Sequence, residues 1–265
     1  MSRSTTLRVV VHGAAAAAWN MAVDEMLLDG CCGAPFFTLR LYGWCSPTIS
    51  VGYLQPWRDG FDASVAGRLG VGLVRRPSGG RAVLHADELT YCLVGPAGQG
   101  PLAGGVSASY RRLAAGLCSS LRRMGAEVNM ARARPLQCRH PPTGACFSTR
   151  SRYELLCAGR KLVGSAQRRR DGRLLQHGSL PLGRPDSWLW RALGEDGGVA
   201  VASTIGLAEA LGGRPSGRRL VWSLAGEIAD ALGLTARRGV LNRRELRAAA
   251  RLERRYRDPE WTKRR

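Results

Sequence analysis

The feature that most constrains this chain is a glycine-containing stretch, residues 75–85, which lies between two strand-like segments. Residues 71–74 before it and residues 88–94 after it are short runs typical of strands. Gly79 and Gly80 allow positive φ and close approach of the backbone to a ligand, and N–H groups in such a loop can hold an oxyanion or a carbonyl. An ordinary Gly-Gly hairpin turn with solvated arginines has the same local pattern, so the stretch alone leaves both interpretations open.

The composition of the 265 residues indicates a globular protein. Hydrophobic residues make up 45% of the chain, and no apolar run approaches the ~20 residues that a membrane helix needs. Arg3 and Arg8 precede an apolar run that loosely resembles a signal peptide, but His12 interrupts it and an amphipathic helix pattern follows. We interpret this region as part of the mature fold and expect no membrane association.

The eight cysteines indicate structural thiols in a reducing cytoplasm, because their spacing is irregular for a disulfide framework in a chain of this length. A zinc site made of Cys138, His140, Cys146 and Cys157 is conceivable, but no CxxC pair supports it. We therefore expect a cytoplasmic protein without a bound metal.

The net charge of +20 implies an acidic partner, which could be nucleic acid, an anionic membrane or acidic protein. Few aromatic residues and the absence of a recognised motif count against nucleic acid. Of the 40 basic residues only Lys161 and Lys263 are lysines, so part of the excess charge is explained by compositional bias. Lys161 is informative for the same reason, since a retained lysine suggests a need for a compact ammonium that can lose its proton. Chance survival at a neutral position is the alternative.

The first half of the chain mixes predicted helices and strands. Residues 107–124 carry apolar side chains at three- and four-residue spacing, the pattern of an amphipathic helix: Tyr110, Leu113, Leu117 and Leu121. We also predict an opening helix at residues 19–28, a hairpin of residues 36–42 and 48–53, and a short helix at residues 61–69.

The second half begins with residues 132–149, a stretch without periodicity that we predict to be a long and functional loop. A three-stranded meander follows, with a turn at Asp171-Gly172. Asn242 and Glu245 form a capping-box pattern at the start of a late helix. The meander strands are predicted at 153–157, 161–164 and 173–180, and the later helices at 187–193, 205–211, 219–232 and 242–257. We predict class α+β, with a mixed β-sheet flanked by helices. Residues 1–265 are expected to form one unit, with a helical C-terminal part from about residue 200.

Several motifs in order resemble one family, the lipoate–protein ligase A superfamily, which includes the biotin ligases. The motifs are residues 20–25, 75–85, 88–91, 145–147, 159–167 and 175–179. Tyr256 and Trp261 also resemble the family's C-terminal pattern, so the resemblance extends over nearly the whole chain. Within the superfamily the chain is most similar to octanoyltransferases of the LipM type, which load lipoyl domains during lipoate synthesis. The resemblance implies the biotin/lipoate ligase catalytic-domain fold.

The resemblance also implies an activity, namely transfer of octanoyl from octanoyl-acyl carrier protein through a cysteine thioester to a lysine of a lipoyl domain. The recipient would be the glycine cleavage H protein or a 2-oxo acid dehydrogenase E2 subunit. No cofactor is implied, and we expect a monomer. Both partners are typically acidic in such systems, so the positive charge would steer their encounter. An ATP-dependent lipoate–protein ligase and an enzyme that moves octanoyl between lipoyl domains are the alternatives. Arg81 stands where the ligases usually carry a third glycine, and this counts against nucleotide binding.

The resemblance assigns the acyl-carrying role to Cys146 and the paired cation to Lys161. Cysteine suits this role because thiol–thioester exchange is nearly balanced, and a nearby cation favours the thiolate. His85 would orient the acyl carbonyl or fix the loop by hydrogen bonding, whereas His177 would close the meander near the pocket. The full set of implied acyl- or substrate-binding residues is Arg75, Gly79, Gly80, His85, Gly164, Ser165, Ala166 and His177.

Overall fold

The computed structural model describes residues 6–30, 37–57, 60–131, 153–194 and 202–264. The strands are β1 (Thr6–Ala15), β2 (Phe37–Trp44), β3 (Thr48–Val51), β4 (Gly72–Arg75), β5 (Val83–His85), β6 (Glu88–Pro96), β7 (Val128–Met130), β8 (Leu155–Cys157), β9 (Arg160–Arg170), β10 (Arg173–Pro181) and β11 (Thr235–Gly239). The α-helices are α1 (Ala17–Gly30), α2 (Ala63–Arg68), α3 (Val106–Arg123), α4 (Leu207–Ala210), α5 (Gly217–Leu232), α6 (Arg243–Arg257) and α7 (Pro259–Lys263), and 3₁₀ helices span Gly100–Leu102 and Ser187–Leu193.

The strands form a large mixed sheet and a small one. The large sheet has the order β11-β1-β2-β6-β10-β9-β8-β7, and the small sheet has the order β4-β3-β5. Strand β1 is parallel to both of its neighbours, and the other pairs of the large sheet are antiparallel. The predicted α+β class, a mixed sheet flanked by helices, is confirmed.

Helices cover both faces of the large sheet, because its strands alternate two sets of buried side chains. In β2, Leu39 and Leu41 point into the cluster that α3 and α5 complete, whereas Tyr42 points into the cluster of α1 and α6. None of the described helices is long and apolar enough to span a membrane.

The C-terminal part is predicted to be helical, but it also contributes a strand, β11, to the large sheet. Strand β11 pairs in parallel with β1 and extends the sheet at that edge. Helices α5 and α6, on either side of β11 in sequence, pack on opposite faces of the sheet. The assignment of residues 1–265 to one domain stays a prediction.

The predicted hairpin of residues 36–42 and 48–53 is wrong, because β2 and β3 belong to different sheets. The indole N–H of Trp44, at the end of β2, donates to Glu88 Oε1 over 3.1 Å and to Thr90 Oγ1 over 2.8 Å. These bonds hold the end of β2 beside β6. The chain then crosses to the small sheet through residues 45–47.

The predicted meander is confirmed as β8, β9 and β10. Its β9–β10 turn has φ values of 50° at Asp171 and 70° at Gly172, the left-handed values that a tight hairpin turn requires. The capping box at the start of α6 is also present, with Asn242 and Glu245 satisfying each other's backbone N–H groups.

Candidate functional site

The glycine stretch passes over the end of β3 and does not form a simple hairpin. Strands β4 and β5 flank β3 in the small sheet, so the connection between them must cross it. A Cβ atom at Gly52 would lie only 1.8 Å from the carbonyl oxygen of Gly80. Gly80 itself has a φ of 91°, which favours glycine. Backbone approaches backbone here so closely that only glycine fits at position 52.

Arg75, the first residue of the stretch, is buried and bound by carbonyl oxygens. Its Nη1 donates to Gly52 O over 2.6 Å and to Gln55 O over 2.7 Å, and its Nε donates to Thr262 O over 3.0 Å. The interpretation as a solvated arginine is therefore wrong for this residue. Arg75 fastens α7 to the segment beside the glycine loop, and its predicted substrate-binding role stays a prediction.

Arg76 is 3% exposed and binds the loop from inside. Its Nη1 donates to Ser50 O over 2.6 Å, and its Nη2 donates to Gly79 O over 2.6 Å and to Arg81 O over 2.7 Å. The inward carbonyls of the loop are thus engaged by the chain's own guanidinium. Sequence analysis missed this role, because the pattern gives no sign of which arginine turns inward.

His85 is held at both ring nitrogens. Its Nε2 lies 2.7 Å from Ser50 Oγ and its Nδ1 lies 2.9 Å from Glu88 Oε1, while the ring stacks on Trp44 at a centroid distance of 4.0 Å. Burial acts to raise the pKa of Glu88, but the charge of His85 and hydrogen bonds from His85 and Ser179 outweigh it and lower that pKa. This geometry is what the loop-fixing alternative for His85 requires.

His177 joins β10 to the glycine loop and to α1. Its Nε2 lies 2.5 Å from Ser78 Oγ, and its Nδ1 lies 3.2 Å from Asp24 Oδ2. Burial lowers the pKa of His177, although Asp24 acts in the opposite direction. The imidazole is therefore neutral near pH 7 and acts as a bridge between three elements.

Asp24 and Arg40 form a buried ion pair on this face, with 2.6 Å between Oδ1 and Nη1. Tyr42 Oη also donates to Asp24 Oδ2 over 2.8 Å, and Arg40 Nη2 donates to Asn20 Oδ1 over 2.7 Å. Burial acts to raise the pKa of Asp24, but the charge of Arg40 and the hydrogen bonds with His177 and Tyr42 together outweigh it, so the pKa is lowered. Residues 20–25 belong to a motif of the family resemblance, yet sequence analysis assigned this pair no role.

Lys161 is buried near the start of β9, where its Nζ donates to Glu154 Oε1 over 2.7 Å. A β-bulge at Leu162 interrupts the pairing of β9 with β8. The bulge turns the lysine toward Gly164, where an added Cβ would lie 2.9 Å from Lys161 Cε and 3.2 Å from its Nζ. The ammonium thus lies directly over a glycine, and glycine at position 164 gives it room.

Most of the predicted acyl-binding residues lie together. Ala166 pairs with His177 across β9 and β10, so both side chains share one face with Gly164. The Ser78–His177 hydrogen bond brings the loop of Gly79 and Gly80 to that face. Of the other three predicted residues, Arg75 contacts α7, Ser165 lies on the opposite face, and His85 is bound between Ser50 and Glu88.

The side chain of Ser165 departs from the prediction that it lines the acyl site. Its Oγ lies 2.7 Å from Tyr91 Oη, inside the layer formed by α3. Adjacent residues of a strand point to opposite faces, so Ser165 and Gly164 cannot both present side-chain positions to one pocket.

The predicted nucleophile, Cys146, lies outside the described residues, as do Cys138 and His140 of the conceivable zinc site. Across the part of the chain that the structure describes, no group of three or more metal-binding side chains occurs. Burial raises the pKa of Cys157, the remaining member of that set.

A mixed sheet flanked by helices, with a glycine-rich loop bound to one face, is the fold of catalytic domains of the lipoate-ligase type. Several solved structures share this fold, among them the following two. A lipoate-protein ligase A bound with ATP has a TM-score of 0.80 at 18% identity and covers 98% of both chains. A bi-partite lipoate protein ligase from Thermoplasma acidophilum has a TM-score of 0.79 at 18% identity and covers 98% of this chain and 96% of that one.

Sequence comparison gives the family. Residues 16–205 match the lipoyl protein ligase A/B catalytic domain. The octanoyltransferase LipM of Kyrpidia tusciae is 37% identical over 97% of this chain and 98% of its own length. That of Moorella thermoacetica is 46% identical over 67% of this chain and 65% of its own length. The chain belongs to the lipoyl protein ligase A/B family.

Proposed function

We propose that this protein is an octanoyltransferase of lipoate synthesis. It takes octanoyl from octanoyl-acyl carrier protein onto Cys146 and passes it to a lysine of a lipoyl domain, in the glycine cleavage H protein or a 2-oxo acid dehydrogenase E2 subunit. The enzyme acts as a cytoplasmic monomer and needs no cofactor. Similarity to LipM octanoyltransferases over most of the chain supports the activity.

The observation that carries the proposal is the position of Lys161. One of only two lysines in the chain, it lies buried against Gly164 on the face that also holds Ala166 and His177. An ammonium at the end of an acyl-binding face stabilises a thiolate nucleophile there. A cation needed only for its charge could lie on the surface, so the burial of Lys161 against Gly164 indicates a more specific role.

Transfer then proceeds in two half-reactions. The Cys146 thiolate attacks the carbonyl of the octanoyl thioester, a new C–S bond forms, and the carrier thiolate leaves. The lipoyl-domain amine next attacks the enzyme thioester, an amide bond forms, and the Cys146 sulfur departs with the proton that the amine gives up. Because the incoming thioester is already activated, neither step consumes ATP.

An ATP-dependent ligase and a relay between lipoyl domains are the alternative functions. The ligase alternative needs an open glycine loop for nucleotide phosphates. In this chain Arg76 Nη2 binds the carbonyls of Gly79 and Arg81, which counts against such an opening.

Intact mass spectrometry tests the proposal. Wild-type protein incubated with octanoyl-carrier protein and no ATP should gain one octanoyl group that hydroxylamine removes. Cys146→Ala should gain none, whereas the matched control Cys45→Ala, which changes an exposed cysteine, should behave as wild type. Strict ATP dependence would establish the ligase alternative, and loading only from an octanoylated lipoyl domain would establish the relay.

A further inference from the structure

The Lys161 ammonium contacts the side chain of Glu154, a residue that the predicted site does not include. The exposed fractions of the two side chains are 2% for Lys161 and 3% for Glu154. Burying two opposite charges is tolerated only with close contact and correct geometry. The 2.7 Å separation of Nζ and Oε1 meets this condition, so the lysine and the glutamate behave as one unit.

The backbone fixes Glu154 on both sides. Tyr153, the preceding residue, has a φ of 67°, which is uncommon for a bulky side chain and persists only where the surroundings enforce it. The carbonyl of Glu154 accepts a hydrogen bond from the N–H of Ala131 over 2.7 Å. The direction of the Glu154 side chain toward Lys161 is therefore set by the main chain.

Lys161 can assist the proposed reaction in two protonation states. As an ammonium it stabilises the Cys146 thiolate, and as a neutral amine it takes a proton from the attacking lysine of the acceptor. With 2% of its side chain exposed, Lys161 has almost no direct contact with bulk water. Glu154 is a carboxylate within hydrogen-bond distance and can receive the proton.

We propose that Glu154 is a positioning residue that holds Lys161 over Gly164 and takes up its proton while the acyl group passes to the acceptor. This inference rests on the proposed function. A proton first moves from Lys161 Nζ to Glu154, and the neutral lysine takes a proton from the acceptor nitrogen as the C–N bond forms. The C–S bond then breaks, and the proton on Glu154 returns through Lys161 to the Cys146 sulfur. The net result is one amide, one thiol and an ion pair in its starting state.

The test separates the two half-reactions in Glu154→Gln. Glutamine keeps the size of glutamate and a hydrogen-bond acceptor for Lys161, but it cannot take up a proton. Single-turnover loading of Cys146 should stay close to the wild-type rate, while transfer to the lipoyl domain should fall at least ~10²-fold. Glu209→Gln is the matched control, because Glu209 pairs with Arg160 beside Lys161 in sequence and does not contact the lysine. Both of its half-reactions should match wild type.

Two further measurements exclude a merely structural effect. Hydroxylamine is an unprotonated amine at neutral pH, so its cleavage of the octanoyl thioester should be nearly the same in Glu154→Gln and wild type. Glu154→Asp keeps a carboxylate but shortens it, and its transfer rate should lie between those of wild type and Glu154→Gln. If Glu154→Gln does not fold, the role of Glu154 is tested with Glu154→Asp alone. This variant should slow transfer more than loading. Equal loss in both half-reactions, or wild-type transfer, overturns the inference.

Failure of the proposed function gives a different result. Wild-type protein that accepts octanoyl only with ATP would contradict the octanoyltransferase function while leaving an acyl transfer to an amine in place. The same comparison would then start from the acyl-adenylate. Glu154→Gln should slow transfer and spare adenylate formation, and uniform loss would again overturn the role of Glu154.

Discussion

Two ion pairs buried in the described part of the molecule differ in what their cations can do. Asp24 and Arg40 are both fully buried, and so are Glu154 and Lys161 to within 3%. Arginine keeps its proton throughout the pH range of proteins, whereas a buried lysine can lose one to a neighbouring carboxylate. The Asp24–Arg40 pair can therefore only hold the structure together, whereas the Glu154–Lys161 pair can also exchange a proton.

The surroundings of the two pairs reinforce the difference. Asp24 also accepts hydrogen bonds from Tyr42 and lies beside His177, and Arg40 donates to Asn20 as well. Each charge has several fixed partners, so a shift of any one of them breaks other bonds. Lys161 pairs with Glu154 and lies over Gly164, which has no side chain of its own.

The largest expected effect is on stability and comes from the Asp24–Arg40 pair. Asp24→Asn leaves the Arg40 guanidinium buried without its counter-charge, and breaking such a pair costs about 3–5 kcal/mol in the free energy of unfolding. Urea denaturation measures the change. Glu253→Gln, which removes the partner of the exposed Arg257, is the control and should change little. A loss below about 1 kcal/mol in Asp24→Asn would mean that the Asp24–Arg40 pair does not stabilise the fold. The proposed difference between the two ion pairs would then be wrong.

The Lys161–Glu154 pair should respond in the rate of acyl transfer. Lys161→Arg keeps a positive charge but removes the group that can act as a base, so transfer to the lipoyl domain should fall at least ~10²-fold. Alkylation of Cys146 by iodoacetamide should stay largely intact, because the cation remains. Single-turnover kinetics and a labelling time course give the two rates. Wild-type transfer by this variant would mean that Lys161 acts only as a charge.

A smaller effect is expected at the glycine beneath the lysine. In Gly164→Ala the new methyl group would lie 2.9 Å from Lys161 Cε, so the flexible end of the side chain must move. Transfer should fall about tenfold, since a misplacement near 1 Å can cost up to ~10². Gly67→Ala in α2, where nothing lies within 4 Å, is the control and should keep full activity. An unchanged rate in Gly164→Ala would show that the position of the ammonium does not matter.

The smallest expected effect is a loss of stability as the pH falls below about 6.5. Burial lowers the pKa of His177 from 6.5, so below that pH the unfolded chain binds a proton that the folded chain resists. Stability should therefore be complete above about pH 6.5 and decline as pH falls. The Asp24 pKa is lowered from 3.8, so the loss of its contribution begins only in stronger acid. His177→Gln should flatten the first decline in melting temperature, and an unchanged slope would exclude His177 as its source.

Sequence patterns predicted the elements whose signals are local. The turn at Asp171-Gly172 and the capping box at Asn242 each depend on a few adjacent residues, and both are confirmed. Strand β1 was not predicted, because His12 interrupts its apolar run and its partners β2 and β11 lie far away in sequence. The false hairpin of β2 and β3 has the same origin, since no local signal says that adjacent strands join different sheets.

For the site, sequence reasoning found Lys161 from its rarity but not its partner. Glu154 is a single acid in an apolar strand-like run, and this was the available signal for a buried carboxylate. The inward turn of Arg76 and the pairing of Asp24 with Arg40 depend on contacts across the fold, which a spacing pattern does not contain. The role of Cys146 stays a prediction.

The bond from Arg75 to Thr262 has a consequence for how the molecule is made. It joins residues 187 positions apart. At ~5–20 residues per second, a ribosome needs roughly 10–40 s to synthesise the second partner after the first. During that interval the segment beside the glycine loop lacks its anchor on α7. A nascent chain therefore cannot complete this side of the loop until α7 has been synthesised, long after the loop itself has left the ribosome.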